Sequence, residues 1–144
     1  MLEVKNLMVF FENSLAINDR SLEVQKGEIV GVLGSNSAGK TTLMNTISGL
    51  IIDIKKKEDR RGGERITVLG ELRFEGKDIT KTEPDERVKK GIVLSRERHP
   101  IFPDSTVEEN LRIATYLRRD ADVKKSFEFV YTVFFHLKKI QRFF

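Results

Sequence analysis

Residues 28–41 read EIVGVLGSNSAGKT, and this stretch decides the fold. Its first half, Glu28 to Leu33, is a short and nearly continuous apolar run, which predicts a strand buried on both faces. Its second half is rich in small residues, and Gly34, Gly39 and Lys40-Thr41 satisfy the phosphate-loop pattern G-x-x-x-x-G-K-[ST]. The expected order is therefore a buried strand, a tight loop and a helix.

The residues after the loop support that order. Leu43, Ile47 and Leu50 recur at i, i+4 and i+7, which is the spacing of one helix face. Gly49 is placed to end this helix, because glycine readily takes the left-handed conformation of a C-terminal cap. A strand leading in and a helix leading out is the context that a phosphate loop requires.

Each part of the loop has a separate chemical role. Glycines let successive backbone N–H groups turn inward to form an anion-binding nest, and the helix N-terminus adds unsatisfied amides. Lys40 can reach the β- and γ-phosphates of a nucleotide, and the Thr41 hydroxyl can bind Mg²⁺. The alternative is an ordinary strand–turn–helix connection that happens to be rich in glycine. The predicted phosphate-binding residues are Gly34, Ser35, Asn36, Ser37, Ala38, Gly39, Lys40, Thr41 and Thr42.

Composition limits the other possibilities. The 144 residues are 39% apolar and 33% charged, carry a net charge of +4 and include no cysteine. No stretch approaches the roughly 20 apolar residues that cross a bilayer, so we expect no direct membrane insertion. The basic runs at 55–61 and 118–125 contain interleaved acids and no aromatic stacking pattern. They are therefore interpreted as solvated faces, and no nucleic-acid partner is predicted.

Alternation and turn signals predict the other elements. We expect strands at 2–11, 21–24, 66–68, 71–74 and 92–94, with a hairpin turn at 75–78. Pro84 suits the first position of a short helix. Thr106 and Glu109 have the spacing of a capping box, which predicts a helix that begins there. A last helix is expected from about Asp122, with one apolar face listed as Val123, Phe127, Val130, Phe134 and Leu137.

Several segments, taken in order, resemble the ATP-binding subunits of ABC transporters, most closely those of branched-chain amino acid importers. They are LEVKNL at the start, SLEVQKGEIVGVLGSNSAGKTTLMNTISGL, LRFEGKDIT and PIFPDSTVEENL. The resemblance implies an α/β protein with a P-loop NTPase core of the ABC ATPase type. Residues 1–144 would be the N-terminal part of one such domain. Residues 1–104 would form an antiparallel β subdomain and the P-loop core, and residues 105–144 the start of a helical subdomain.

The resemblance also implies roles for individual residues. Phe11 falls where the family stacks an aromatic ring on adenine, although a phenylalanine there can also be plain core. Glu97 falls at the Q-loop position, where it would bind Mg²⁺ and sense the γ-phosphate, and the alternative is a solvated loop acid between Arg96 and Arg98. The segment Ile101–Pro103 would face the permease, or else form a hydrophobic staple before Thr106.

The sequence departs from the family in several places. Ser37 stands where glycine is usual, the segment between Leu50 and Gly70 is unusually long, and Ser95-Arg96 replaces a common Val-Pro. The family's LSGGQ signature, the strand ending in Asp-Glu and the switch histidine are absent. Residues 50–53 resemble an apolar run that ends in an acid, but they follow directly on the phosphate-loop helix. Residues 133–136 resemble a strand that leads to a histidine, but their periodicity is helical. Neither is taken as the family motif, and His136 is interpreted as a helix-surface residue. No residue is therefore assigned as a catalytic base.

These observations predict an ATPase subunit of a solute importer, present as its N-terminal portion. The full protein would use ATP and Mg²⁺ and pair with a second ATP-binding subunit, identical or different. It would drive permease subunits from the cytoplasmic side of the cell membrane. The 144-residue chain alone is expected to bind nucleotide weakly or not at all and to hydrolyse almost none. The alternatives are a non-catalytic nucleotide-binding or regulatory module and a soluble phosphate-loop kinase or GTPase. A kinase or GTPase would need a substrate lid or a guanine-reading motif, and the sequence contains no such motif.

Overall fold

The computed structural model describes residues 1–96, 101–116 and 120–140, and for residues 120 and 121 it describes only the backbone. The chain divides into two compact units, Met1–Leu94 and Ser95–Phe144. The break falls between Leu94 and Ser95, whereas the family resemblance implies a subdomain border between residues 104 and 105.

The first unit is built on a four-stranded antiparallel sheet. Its strands are β1 (Leu2–Phe11), β2 (Ser14–Val24), β3 (Ile66–Phe74) and β4 (Lys77–Asp78), arranged in the order β2-β1-β3-β4. The predicted first strand and the hairpin turn between β3 and β4 are confirmed. The second strand begins at Ser14 rather than Ser21 because β2 pairs with β1 along nearly its whole length.

Gly70 joins two predicted strand pieces into the single strand β3. Its φ is +108°, and a Cβ added there would lie 2.7 Å from the carbonyl oxygens of both Lys5 and Asn6. The β1–β3 register shifts between Lys5 and Met8, at the same level of the sheet. Only glycine permits so close an approach of two backbones, so β3 stays continuous through an irregularity that the sequence suggests is a break.

Three helices belong to the first unit. They are α1 (Lys40–Ser48), α2 (Leu50–Arg61) and α3 (Pro84–Lys89). The predicted helix after the glycine-rich loop and its Gly49 cap are confirmed, since Gly49 has φ 86° and donates its N–H to the Thr46 carbonyl. Pro84 lies in the first turn of α3, as predicted. The helix α2 was not predicted, because its residues 55–61 are all charged and show no apolar periodicity.

The apolar core lies on one face of the sheet. Its buried members come from all three long strands, α1 and the loop after β4, and they are Val4, Leu7, Val9, Ile17, Leu43, Leu72 and Ile79. Leu43 connects α1 to this cluster, so the helix that follows the glycine-rich loop is packed against the sheet at that point. Phe11, Ile47 and Ile92 are partly buried against the same cluster.

Arg87 is the largest fully buried side chain of this unit, with 1% of its surface exposed. All five of its N–H donors are used. They are donated to the carbonyl oxygens of Thr46 and Ile47 in the last turn of α1, and to those of Ile79, Thr80 and Thr82, at 2.6–3.1 Å. Burial lowers the pKa of the Arg87 guanidinium from its usual range, while the carboxylates of Asp78 and Glu83 act in the opposite direction. Arg87 thus holds the end of α1 to the loop before α3.

Two predicted strands are wrong. Residues 28–33 and 92–94 form no ladder with any strand of the described chain. Ile29 and Leu33 are 98% and 95% exposed, and Val93 is 74% exposed. An apolar run becomes a buried strand only where neighbouring strands pair with it and side chains cover it. The described strands all belong to the antiparallel sheet, and none of them pairs with either run.

The second unit contains three helices, α4 (Val107–Ile113), α5 (Asp120–Val133) and α6 (Phe135–Lys139). The predicted capping box is confirmed. The Glu109 N–H donates to Thr106 Oγ1, and the Thr106 N–H donates to the Glu109 carboxylate at 2.8 Å. The predicted last helix is divided at Phe134, which has φ −115° and ψ 65°. His136 lies exposed on α6, as expected.

Among the described residues, no helix combines the length and the apolar character needed to cross a bilayer.

Candidate phosphate-binding site

The glycine-rich loop ends in a left-handed turn. Gly39 is the N-cap of α1 with φ 83°, and Ser37 also lies in the left-handed region with φ 66°. The Ala38 N–H donates to the Ser35 carbonyl at 3.3 Å, which closes a tight turn within the loop. Glycine takes a positive φ without steric cost, whereas a serine at that angle costs on the order of 1 kcal/mol.

Two glycines let the loop pack closely. A Cβ at Gly34 would lie 3.1 Å from the Ala38 Cβ, and a Cβ at Gly39 would collide with the Ala16 carbonyl oxygen of β2. The second contact places the start of α1 directly against the backbone of β2. Glycine at position 39 is therefore required both by its dihedral angle and by this approach.

The N-terminus of α1 is free to receive an anion. No side chain caps it, and its first turn contains no acidic residue. The first amides of a helix have no carbonyl partner within the helix, so they attract negative charge. Thr41 is exposed in this first turn and Thr42 is half-buried. The residues present thus fit a polyphosphate at this end of α1.

Lys40 adds a positive charge to the same place. Its Nζ donates to the carbonyl oxygens of Gly34 at 2.7 Å and Ser35 at 2.6 Å, so the side chain folds back over the loop. The ammonium group therefore lies at the loop itself rather than in bulk solvent. A phosphate group held by the loop amides would be within reach of this charge.

A cleft of about 690 Å³ adjoins the loop. Its walls come from β2, the apolar run before the loop and the start of α1, and they include Leu15, Arg20, Val32, Ala38, Lys40 and Leu43. A cleft of this volume is in the range of small-molecule sites. The apolar wall and the cationic loop give it the mixed character that a nucleotide needs.

Phe11 lies at the end of β1, at the tip of the β1–β2 hairpin. It pairs with Ser14 across the hairpin and with Ile66 on β3, and its ring is partly buried against the core. Ser14 is two residues before Ala16, where Gly39 packs, which corresponds to about 7 Å along a strand. Phe11 is thus carried by the same hairpin that supports the phosphate loop.

The remaining predicted residues belong to the second unit. Ile101 and Phe102 are 58% and 55% exposed. The residues at the staple positions around the Thr106 cap are Ser105 and Asn110, so these apolar side chains do not form the alternative hydrophobic staple. Glu97 lies outside the described residues, so its predicted metal role stays a prediction.

Two hydrogen-bonding residues near the predicted site, Asn110 and Glu12, were not predicted from the sequence. Asn110 receives the Phe102 N–H at 2.7 Å and donates to the carbonyl oxygens of Phe102, Ser105 and Thr106, which fixes the loop before α4. Glu12 bonds to Arg65 across the hairpin tip beside Phe11. The TVEENL segment contains Asn110, but nothing in its spacing indicates the loop contacts.

Comparison with known proteins decides the family. Residues 17–143 match the family model described as ABC transporter. The chain belongs to this family. The family implies nucleotide binding, and the predicted family and fold class are confirmed.

Individual relatives agree with the family. A probable branched-chain amino acid transport ATP-binding protein LivG of Archaeoglobus fulgidus is 39% identical over 114 residues, which is 79% of this chain and 39% of that protein. The branched-chain protein BraG of Pseudomonas aeruginosa is 29% identical over 96% of this chain and 54% of its own length. The spermidine/putrescine import protein PotA of Bacteroides thetaiotaomicron is 30% identical over 83% of this chain and 22% of that protein.

A solved structure shares the fold. A nucleotide-free ATP-binding cassette from an ABC transporter superposes with a TM-score of 0.71 and 25% identity, covering 99% of this chain and 56% of the cassette. The present ABC-family chain therefore spans between about a fifth and somewhat more than half of the proteins it resembles.

Proposed function

We propose that this ABC-family chain is the nucleotide-binding part of an importer ATPase subunit. It would bind Mg·ATP at the loop of residues 34–42 and contribute to the hydrolysis that drives a membrane permease. The single observation that supports this most is the cationic anion site at the start of α1. There an uncapped helix N-terminus, a left-handed loop and the folded-back Lys40 come together.

Magnesium would be held by the Thr41 hydroxyl, which is exposed in the first turn of α1, and by Glu97. When bound, the ion would neutralise part of the negative charge of the phosphates. The protein's own contribution is to fix the phosphates with loop amides and to bring the Lys40 ammonium close to them.

The proposed partners follow from family membership and from the second unit. The exposed Ile101–Pro103 segment, held in place by Asn110, would dock on the permease subunits. A second ATP-binding subunit would complete the site. The protein would act at the inner face of the cell membrane. Branched-chain amino acids or related solutes are the proposed cargo, since two of the relatives described above carry that name.

The proposal can be tested with the 144-residue chain. In an amide-resolved NMR titration with Mg·ATP, the largest shifts are expected at residues 34–42, with a dissociation constant on the order of 1 mM. Lys40→Ala should weaken binding about tenfold or more, since a charged hydrogen-bonding partner is lost. Lys55→Ala, on the exposed part of α2, is the matched control and should bind like the wild type.

Steady-state hydrolysis by this chain alone is expected to be undetectable. The nucleotide site is refuted if Mg·ATP does not shift the loop amide signals of the wild type. It is also refuted if Mg·ATP shifts those of the Lys40→Ala variant equally. Binding without turnover, even after the chain is joined to the remaining length of its relatives, would favour a non-catalytic nucleotide-binding module instead.

A further inference from the structure

The tip of the β1–β2 hairpin contains a strained residue. Glu12 directly follows Phe11 and has φ +51°, a left-handed angle that glycine adopts freely and other residues rarely adopt. A residue with a side chain, such as glutamate, populates this conformation on the order of tenfold less readily than glycine does. A compensating interaction must therefore stabilise it here. The side chain of Glu12 supplies one.

Glu12 and Arg65 form a reciprocal pair of hydrogen bonds. The Glu12 N–H donates to the Arg65 carbonyl at 2.8 Å, and the Arg65 N–H donates to Glu12 Oε1 at 2.7 Å. The second bond involves an ionised acceptor, and such bonds are stronger than those between neutral groups. We define these two bonds as the Glu12–Arg65 clasp. The left-handed angle of Glu12 is thus held by both its backbone and its carboxylate.

The clasp joins the hairpin tip to the long segment between Leu50 and Gly70. Within that segment α2 ends at Arg61 and is capped by Gly62, which has φ 64°, and the chain turns at Gly63 toward β3. Arg65 is the last residue before β3, and Ile66 then pairs with Phe11 while being fully buried. The end of this segment therefore contacts the chain at two places beside Phe11. Ile66 pairs with Phe11 itself, and Arg65 bonds to Glu12, the residue after it.

We propose that Glu12 is a positioning residue for nucleotide binding. Through the clasp, the segment of residues 50–65 holds Phe11 at the hairpin tip in the orientation that meets the aromatic base of the nucleotide. This inference rests on the proposed function, because it requires that Phe11 contacts the base. It gives the long segment a role in base recognition rather than in phosphate binding.

Comparing two ligands tests the proposal on the 144-residue chain. Mg·ATP carries a base and Mg·tripolyphosphate does not, so a residue that acts through the base changes only the first affinity. Glu12→Ala removes the carboxylate, and Glu12→Gly removes it while relieving the left-handed angle. Both should weaken the affinity for Mg·ATP about fivefold or more, as the loss of one stacked base contact does. The affinity for Mg·tripolyphosphate should stay within about twofold of the wild-type value. Glu12→Gln retains an oxygen acceptor and should bind both ligands like the wild type.

Phe11→Ala distinguishes a failure of the base contact from a failure of the positioning role. If it weakens Mg·ATP but not tripolyphosphate, Phe11 contacts the base. If it changes neither, the base-contact role within the proposed function is wrong, and the positioning role fails with it. Phe11→Ala could weaken the affinity for Mg·ATP alone while Glu12→Ala and Glu12→Gly weaken the affinities for both ligands equally or for neither. In that case the positioning role alone is overturned. A wild-type chain that binds tripolyphosphate and ATP equally would also overturn it.

Discussion

At the scale of single residues, Ser37 differs from the glycine that the family usually has at this position, and this difference has a clear energetic consequence. Its φ of 66° places it where the family usually has glycine. Ser37→Gly is expected to raise the free energy of unfolding by up to about 1 kcal/mol, because it removes the strain of a left-handed serine. Urea denaturation with a common m-value measures this change.

The control for that substitution lies in the same loop. Ser35 is absent from the positive-φ residues of the described chain, so Ser35→Gly gains no relief and adds chain entropy to the unfolded state. It should lower the free energy of unfolding by about 0.5–1 kcal/mol. Equal effects of the two substitutions would contradict the argument from φ.

Sequence reasoning works best at this scale where the chemistry is local. The phosphate-loop residues lie next to one another in the chain, so their pattern and the helix after them were predictable. Arg87 and Glu12 were not, because their partners are backbone groups far along the chain. Arg87 bonds to Thr46 and Ile47, and Glu12 bonds to Arg65. A backbone carbonyl carries no residue identity that a sequence pattern can show.

At the scale of elements, α1 depends on Arg87 as well as on its own sequence. Arg87→Met keeps much of the volume but removes the guanidinium donor from five carbonyl oxygens. Those of Thr46 and Ile79 keep a backbone N–H donor, whereas those of Ile47, Thr80 and Thr82 lose the donor described above. The free energy of unfolding should fall by at least about 3 kcal/mol, since each buried unsatisfied group is costly. Thermal or urea unfolding measures the loss, and amide exchange should be fastest in the last turn of α1.

Lys89→Met is the control on the same helix. Lys89 forms exposed ion pairs with Asp85 and Glu86, and such pairs contribute little. No measurable change in stability is expected. If Arg87→Met were as harmless as Lys89→Met, the buried hydrogen bonds would not be what secures α1.

The α4 capping box predicts a pH dependence. The Thr106 N–H and hydroxyl hold the pKa of the Glu109 carboxyl below its ordinary value of 4.5. A lowered folded-state pKa means that the stabilisation is fully present above pH 4.5 and is lost as the pH falls through the folded-state pKa. The protection factors of the α4 amides, which correct for the intrinsic pH dependence of exchange, should therefore fall as the solution is acidified below pH 4.5.

Glu109→Gln removes that titration while keeping an acceptor for the Thr106 N–H. The protection factors of its α4 amides should vary less with pH over the same range. An NMR titration in which Glu109 ionises at or above 4.5 would contradict the capping-box interpretation.

Elements with self-contained signals were predicted well, and elements that depend on distant neighbours were not. The capping box, the β3–β4 hairpin and the Gly49 cap each rest on a few adjacent residues. The runs at 28–33 and 92–94 have the composition of buried strands, but strand formation needs a paired neighbour, which no described strand provides. The helix α2 was missed because its charged residues conceal the single buried position, Ile51.

At the scale of the whole molecule, the exposed apolar run before the phosphate loop has a testable consequence. Ile29 and Leu33 are almost completely exposed, so replacing both with lysine should change the free energy of unfolding by no more than about 0.5 kcal/mol. The same change should reduce concentration-dependent association, because apolar surface and open backbone promote it. Light scattering and urea denaturation together measure the two effects.

Leu7→Lys is the contrasting variant, because Leu7 is fully buried in the sheet core and should not tolerate a charge. If the Ile29 and Leu33 substitutions unfolded the chain as Leu7→Lys does, the run would be buried in solution.

The bonds between Lys40 and its own loop also bear on how a ligand enters. The ammonium group is already solvated by two peptide oxygens, those of Gly34 and Ser35. Polyphosphate entry is therefore an exchange reaction, in which each new contact to Lys40 replaces one that the loop has made for itself. The observed affinity then measures the difference between the two sets of partners. A variant loop that holds the lysine less firmly would bind phosphate more tightly without gaining a single new contact.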